Sequence, residues 1–385
     1  MLRFLTAGES HGPALVTIVE GLPKGLAVSQ DDFAIELARR RHGYGRGQRM
    51  GIEADELEIL GGIRHGRTLG SPVAVVVRNT EWPKWQEVMG IEAGQAGKEL
   101  TRPRPGHADL AGMIKYDTED ARDILERASA RETAARTVAG TLAKKLLAEA
   151  AVDVVSHVVS IGEVVAQGLV PGPSDLEAVD ADPVRCFDPE ASAEMIAAID
   201  RAQEKKDTLG GVVEVLAYGV PPGIGSHVHY DRRLDAMLAA ALVSIPAIKG
   251  AEIGDGFAVA GMAGSVAHDE IVSTEDGVGR PTNRAGGIEG GMSNGEPIRV
   301  RGAMKPLSTL MQPLRTVDLT DGSEAQAFRE RSDVCAVPAA AVVAEQMVAI
   351  TLAREFQRKF GGDTVDEFSR RVDQYRGDVD QRLGP

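Results

Sequence analysis

The sequence predicts an α+β fold in a single domain, and three observations carry that reading. Short β-branched runs and alanine-rich helical stretches are mixed along the chain without one repeating unit. No Gly-x-Gly-x-x-Gly follows a strand and opens a helix, so a dinucleotide-binding βαβ unit is unsupported. Proline and glycine, 19 and 44 of 385 residues, punctuate the whole length, and no linker divides it.

The elements follow in chain order. Residues 15–19 and 73–77 are short runs rich in valine and leucine that suit strands. Between them, Ser29 followed by Asp31 and Asp32 makes an N-cap with an acidic first turn. Phe33 and Leu37 then give a helical stripe that leads into a run of arginines. The strongest helix spans 131–150, where Ala135, Val138, Leu142 and Leu146 recur at spacings of three and four. Further helices fit 193–205, 232–244 and 339–359, and a strand fits 212–217 between glycine-rich flanks. Alanine dominates the apolar helix faces, which favours close backbone packing. From Gly361 the chain is polar and charged, so residues 1–360 are read as the catalytic domain and 361–385 as a partly exposed tail.

Composition narrows the function classes. With 57 acidic against 43 basic residues the net charge is −14, which disfavours bulk attraction to nucleic acid or to an anionic membrane. Apolar stretches such as 237–248 fall short of the ~20 residues that span a bilayer. The N-terminus lacks the basic and apolar regions of a signal peptide. Cys186 and Cys335 alone suit a reducing, cytoplasmic setting.

Six segments concentrate chemistry. Gly8-Glu9-Ser10-His11-Gly12 places an acid, a hydroxyl and an imidazole between glycines, as a ligand loop or a plain polar turn. The run from Arg39 through Arg40, Arg46 and Arg49, interspersed with glycines, suits a small anion; an RNA-tracking arm and a solvated basic loop are the rival readings. In Arg102-Pro103-Arg104-Pro105-Gly106-His107-Ala108-Asp109 the prolines stiffen the approach to His107, which is an acid–base group or a structural partner of Asp109. Arg127-Ala128-Ser129, directly before the long helix, is an anion site or a cap. The glycines around Gly290 imply close backbone approach, and Lys305-Pro306-Leu307-Ser308-Thr309 offers a cation and two hydroxyls. Arg331-Ser332-Asp333 again stands ahead of a helix. His227 and His229 with Asp231 pass a minimal zinc test on a strand face, yet no further ligand cluster supports a metal. Trp82 and Trp85 read as packing or a loop anchor rather than as a stacking platform.

Taken in order, Gly-Glu-Ser-His-Gly, Arg-Arg-Arg-His-Gly-Tyr-Gly-Arg-Gly-Gln-Arg, Arg-Pro-Gly-His-Ala-Asp, Arg-Ala-Ser-Ala-Arg-Glu-Thr and Arg-Ser-Asp-Val-Cys-Ala-Val-Pro resemble the chorismate synthase family. Glu-Trp-Pro-Lys-Trp, Ala-Ile-Lys-Gly and Asn-Arg-Ala-Gly-Gly extend the likeness over about residues 1 to 360. The resemblance implies a β-α-β sandwich with helices packed between antiparallel sheets, a homotetramer, and a 1,4-anti elimination. That reaction converts 5-enolpyruvylshikimate 3-phosphate to chorismate and phosphate, with reduced FMN and no net redox change. NADPH enters only where the enzyme reduces its own flavin.

By motif, the resemblance implies that His11 serves the leaving phosphate, His107 the reduced flavin near N1, and Asp333 flavin N5, with Ser10 and Ser129 in support. Arg40, Arg46 and Arg49 hold substrate or a nicotinamide nucleotide. Arg127, Ala128, Ser129, Pro246, Ala247, Gly290, Lys305, Pro306, Leu307, Ser308, Thr309 and Arg331 line the FMN site. One departure stands out: Pro246 precedes Ala247 where many members carry Asn, which removes a side-chain amide and leaves the backbone contact. A flavin oxidoreductase with net hydride transfer and an Arg/Gly-loop RNA-binding protein are the competing classes.

Overall fold

The computed structural model describes residues 1–47, 56–94, 97–275, 277–330 and 332–384. Arg49 and Arg331 lie outside the described residues. Two antiparallel sheets enclose a helical layer, in agreement with the α+β sandwich expected. In the first sheet, β1 (Arg3–Ala7), β2 (Ala14–Glu20), β3 (Glu56–Gly61) and β4 (Val73–Arg78) are ordered β1-β2-β4-β3. Side-chain alternation gives this sheet one buried face: Leu15, Thr17 and Val19 point inward with Val73, Val75 and Val77. Its outer face exposes Leu5, Ile18 and Leu60.

The second sheet comprises β5 (Asp153–Ile161), β6 (Val164–Val165), β7 (Gly211–Tyr218), β8 (Ile248–Ile253) and β9 (Ile298–Met304), ordered β8-β9-β7-β5-β6. Register places Val158 beside Val213 and Val215 beside Val300, so valines form a continuous inner face.

Helices α1 (Gln30–Arg41), α2 (Asp109–Tyr116), α3 (Arg122–Ala128) and α4 (Thr133–Ala148) precede the second sheet. Helices α5 (Pro189–Glu204), α6 (Leu234–Val243), α7 (Val337–Phe360) and α8 (Val365–Leu383) follow its first strand. Between the sheets, α4 packs on α7, on α1 and on β2, while α7 also covers β5 and β7. Ser29 caps α1 through a reciprocal capping box with Asp32, as its spacing predicts.

Gly140 lets α4 and α7 approach closely. A Cβ there would lie 2.3 Å from Gln346 Oε1 and 2.9 Å from Gln346 Cα. Gly140→Ala therefore strains the central helix pair, and we expect a loss of about 1–3 kcal/mol in equilibrium urea unfolding.

Differences from the expected elements have local causes. The 131–150 helix begins as a tight turn, Ala130–Glu132, because Ser129 accepts from the Arg131 N–H before α4 starts at Thr133. The 193–205 helix starts earlier, at Pro189, because Asp188 accepts from the Glu190 and Ala191 N–H groups. The 361–385 segment contains α8, capped by Thr364 and Glu367, with Val365, Phe368 and Val372 buried along one face. Those apolar positions are sparse in a charged run, which hides the helix from a periodicity count. Length alone also misleads at α7, whose 24 residues are apolar enough to cross a bilayer, contrary to the expectation from the sequence. Nearly all of its side chains are instead buried between the two sheets.

The α7 helix carries a buried carboxylate, Glu345, with no exposed side-chain surface. Arg39 donates to it at 2.6 and 3.0 Å, Lys144 at 2.6 Å and the Ser156 hydroxyl at 2.7 Å. Burial pushes this carboxyl up, but the Arg39 and Lys144 charges outweigh it and hold it well below the usual range. The cluster joins α1, α4, α7 and β5, and so fixes the helical layer that carries the site.

Candidate active site

The turn between β1 and β2 brings Ser10 and His11 against the end of α3, and both side chains are buried. The Ser10 N–H donates to the Glu126 carbonyl at 2.9 Å, and the His11 N–H donates to Glu126 Oε2 at 2.8 Å. His11 Nδ1 lies 2.9 and 3.0 Å from the two Glu126 carboxylate oxygens. Burial raises the Glu126 carboxyl, whereas the His11 hydrogen bonds and charge and the nearby Arg122 lower it; the net direction is down. An ionised carboxylate only accepts, so His11 Nδ1 donates to it. Ser129 Oγ donates to Ser10 Oγ at 3.2 Å, which ties the turn before α4 to the loop that carries His11.

A second imidazole is fastened in the same way. His107 Nδ1 meets Asp109 Oδ1, and Asp109 is fully buried. Arg104 grips that carboxylate from Nε at 2.9 Å and Nη2 at 3.2 Å, and donates from Nη1 to Thr309 Oγ1 at 3.0 Å. Burial raises Asp109, but the His107 and Arg104 hydrogen bonds prevail and bring it down to about 2. Asp109 is thus the structural partner of His107 and fixes the orientation of its ring.

The Asp109 shift has a sign that is testable. Its carboxyl lies below the ordinary ~3.9, so its stabilisation is present above about pH 4 and lost as pH falls toward 2. Asp109→Asn should flatten acid unfolding in that window by on the order of 2 kcal/mol, read by circular dichroism against pH.

The late segments complete this wall. Lys305 Nζ donates to the Gly106 carbonyl at 2.9 Å, and burial together with Lys249 pulls its ammonium below the ordinary value. The Leu307 carbonyl accepts from Thr208 Oγ1 at 2.8 Å, and Leu209 N–H donates to Val334 O at 2.9 Å. These bonds bring 305–309 and 333–335 side by side. Asp333 accepts from the Gly47 N–H at 2.7 Å and pairs with Arg46 at 3.2 Å. Ala247, held at a φ of 71°, accepts from the Lys305 N–H at 3.0 Å, so its backbone joins the same wall.

A cavity of about 430 Å³ opens beside α3, lined by residues that include Thr6, Arg127, Ala128, Arg136, Ser244 and Pro246. Arg127 is itself anchored to Thr6 and to the Gly8 carbonyl. Arg40 is buried under the Ser129 turn, donating to Thr133 Oγ1 at 2.8 Å and to the Ala130 carbonyl at 3.0 Å. Gly290 stands apart from this group: its neighbour Gly291 accepts from Ser226 and Leu234, on the hairpin beside α6.

The metal test fails on geometry. His227 and His229 lie on an exposed irregular segment rather than on a strand, and His229 pairs with Asp231 at 2.7 Å. Among the described residues no three His, Cys, Asp or Glu side chains gather to hold an ion. Both thiols are buried and free, with burial pushing each up to about 11.

Several site residues escape a reading of the sequence. Glu126 is the carboxylate on which His11 depends, and only its place three residues before Ser129 hints at it. Trp85 does form a stacking platform, with its ring centroid 3.8 Å from that of His11. Glu330 lies 3.7 Å from Arg104 and 3.9 Å from Arg122, between the two histidine clusters. No local pattern announces it.

Two carboxylate-held imidazoles, with arginines, a lysine and hydroxyls around them, have the chemistry of an enzyme site suited to an anionic ligand. A family model described as chorismate synthase matches residues 2–356. A chorismate synthase of Salinispora tropica is 63% identical over 385 residues, covering 97% of this chain and 98% of its own. One from Thermobifida fusca is 60% identical, with the same coverage of 97% and 98%. A crystal structure of chorismate synthase superposes with a TM-score of 0.79 at 42% identity, covering 99% of this chain and 98% of that one. The chain belongs to the chorismate synthase family. It is accordingly a lyase that acts on a small phosphorylated substrate.

Proposed function

We propose that this enzyme eliminates phosphate from 5-enolpyruvylshikimate 3-phosphate in a 1,4-anti sense to give chorismate, the last common step toward the aromatic amino acids. The observation that carries the reading is the pair of separately fastened imidazoles, His11 on Glu126 and His107 on Asp109. A phosphate leaving group gains negative charge as its C–O bond breaks, so a proton donor and nearby cations lower the barrier. His11 holds a proton at Nε2 for that phosphate, with Ser10 and Ser129 as supporting donors. Arg46 and Arg49 bind the substrate's anionic groups, and Arg40 supports the Ser129 turn from below.

The residues fit FMN. A cavity of about 430 Å³ is of ligand size and carries Arg127, Ala128 and Pro246. Lys305, Ser308 and Thr309 supply a cation and hydroxyls for its phosphate, with Ala247 and Arg331 completing the set, whereas Gly290 lies on the hairpin beside α6. When bound, reduced FMN would supply the electron density that assists phosphate departure and an acceptor for the C6 hydrogen, with no net redox change. His107 would serve the reduced flavin near N1, and Asp333, held by Gly47 and Arg46, would serve N5. NADPH enters only if the enzyme reduces its own flavin; an external reductant is the alternative. The exposed Leu5, Ile18 and Leu60 on the first sheet support a homotetramer. The two buried thiols support a cytoplasmic setting.

Incubation with the substrate and either oxidised or reduced FMN tests the function. Chorismate and phosphate should appear only with the reduced form; equal product with oxidised FMN contradicts it. Asp333→Asn should slow the single-turnover rate with substrate affinity retained, and an unchanged rate removes it from the site.

A further inference from the structure

His11 is gripped on its Nδ1 edge by Glu126, a contact that fixes one edge of the ring rather than its face. Its face is covered by Trp85, with ring centroids 3.8 Å apart and planes inclined by 27°. Arg122 closes the arrangement: its guanidinium carbon lies 5.3 Å from the Trp85 ring, and Nη1 donates to Glu126 Oε1 at 2.9 Å. The segment that carries Trp85 is tied to the turn that carries His11. Asn79 donates from Nδ2 to the Gly12 carbonyl at 2.9 Å and from its N–H to the Pro13 carbonyl at 3.0 Å. The Glu81 N–H then donates to Asn79 Oδ1 at 3.1 Å, and the Trp85 N–H to the Trp82 carbonyl at 2.9 Å. The indole and the imidazole are thus parts of one braced unit.

We propose that Trp85 is a positioning residue for His11, fixing the plane of its ring through the stacked indole face. The inference rests on the role given to His11 above. Its physical basis is that stacked rings settle into a defined relative geometry and that the covering ring keeps water from the face it covers. Among the charged groups beside this imidazole are Glu126, on its Nδ1 edge, and Arg122, which reaches both Glu126 and the indole. Trp85 also helps hold Arg122 in place over the same ring.

The test uses Trp85→Leu, which removes the ring, and Trp85→Phe, which keeps a ring. Trp85→Leu should lower kcat about tenfold with KM changed less than about twofold, and Trp85→Phe should recover most of that loss. A second readout needs no turnover. In Trp82→Phe enzyme, Trp85 is the only indole, and protonation of the stacked imidazole should quench it in one step as pH falls. His11→Gln should abolish that step. Wild-type kcat in Trp85→Leu, a parallel rise in KM, or no rescue by phenylalanine would overturn the positioning role. A fluorescence step unaltered by His11→Gln, or no step at all, would overturn the stacking. A His11-dependent fluorescence step in an enzyme that forms no chorismate would leave the stacking standing and reject the proposed reaction instead.

Discussion

His11→Ala lowers turnover by about two to four orders of magnitude while FMN still binds, the range expected when a positioned proton donor is removed. Its imidazole is committed through Nδ1 to Glu126 at 2.9 Å, so only Nε2 carries the exchange, and alanine offers no substitute. Glu126 keeps Arg122 as a partner at 2.9 Å, and helix α3 therefore remains in place in the variant. The check is steady-state kcat alongside a flavin titration. Wild-type turnover would remove His11 from the mechanism, and loss of flavin affinity in step with kcat would assign it to cofactor binding.

The second large effect is on folding. Glu345→Ala should cost about 3–5 kcal/mol, because it leaves cations buried opposite an apolar side chain. Arg39 retains Glu36 at 2.6 Å and Asp180 at 2.8 Å, which keeps the loss toward the lower end of that range. Lys144 retains Glu36 at 2.6 Å. The direction of the Glu345 shift fixes the pH window. A carboxyl held below its unfolded value of ~4.3 stabilises the fold above that pH, and the stabilisation disappears as pH falls through the lower folded value. The variant should therefore lose stability at neutral pH and differ little from wild type once both are acid-denatured. Equal urea midpoints at pH 7 would show that the buried cluster contributes nothing net.

What was readable from the amino acids alone follows a physical division. The Ser29 cap, the α4 and α7 stripes and strands β2, β4 and β7 depend on local pattern, and each appears within a few residues of its expected span. Strands β1, β5, β8 and β9 owe their pairing to partners distant in sequence, and their short alternations were not assigned. Helix α8 is held by three buried apolar side chains in an otherwise charged run, too few to raise a periodic signal. The same division holds in the site. His11, His107, Ser129 and Asp333 stand out because glycine, proline or arginine surrounds each of them. Glu126, Trp85 and Glu330 act only through contacts that the fold creates, Glu330 bridging arginines far away in the chain. Such residues carry no local mark.

The reading as an elimination rather than a net redox reaction is tested most directly by counting electrons. Under anaerobic conditions, with the enzyme, a known amount of reduced FMN and excess substrate, chorismate and phosphate should form in equal amounts over many turnovers. The reduced flavin measured at the end should equal that added at the start. Oxidation of one reduced flavin for each product formed, or no chorismate at all, would contradict it.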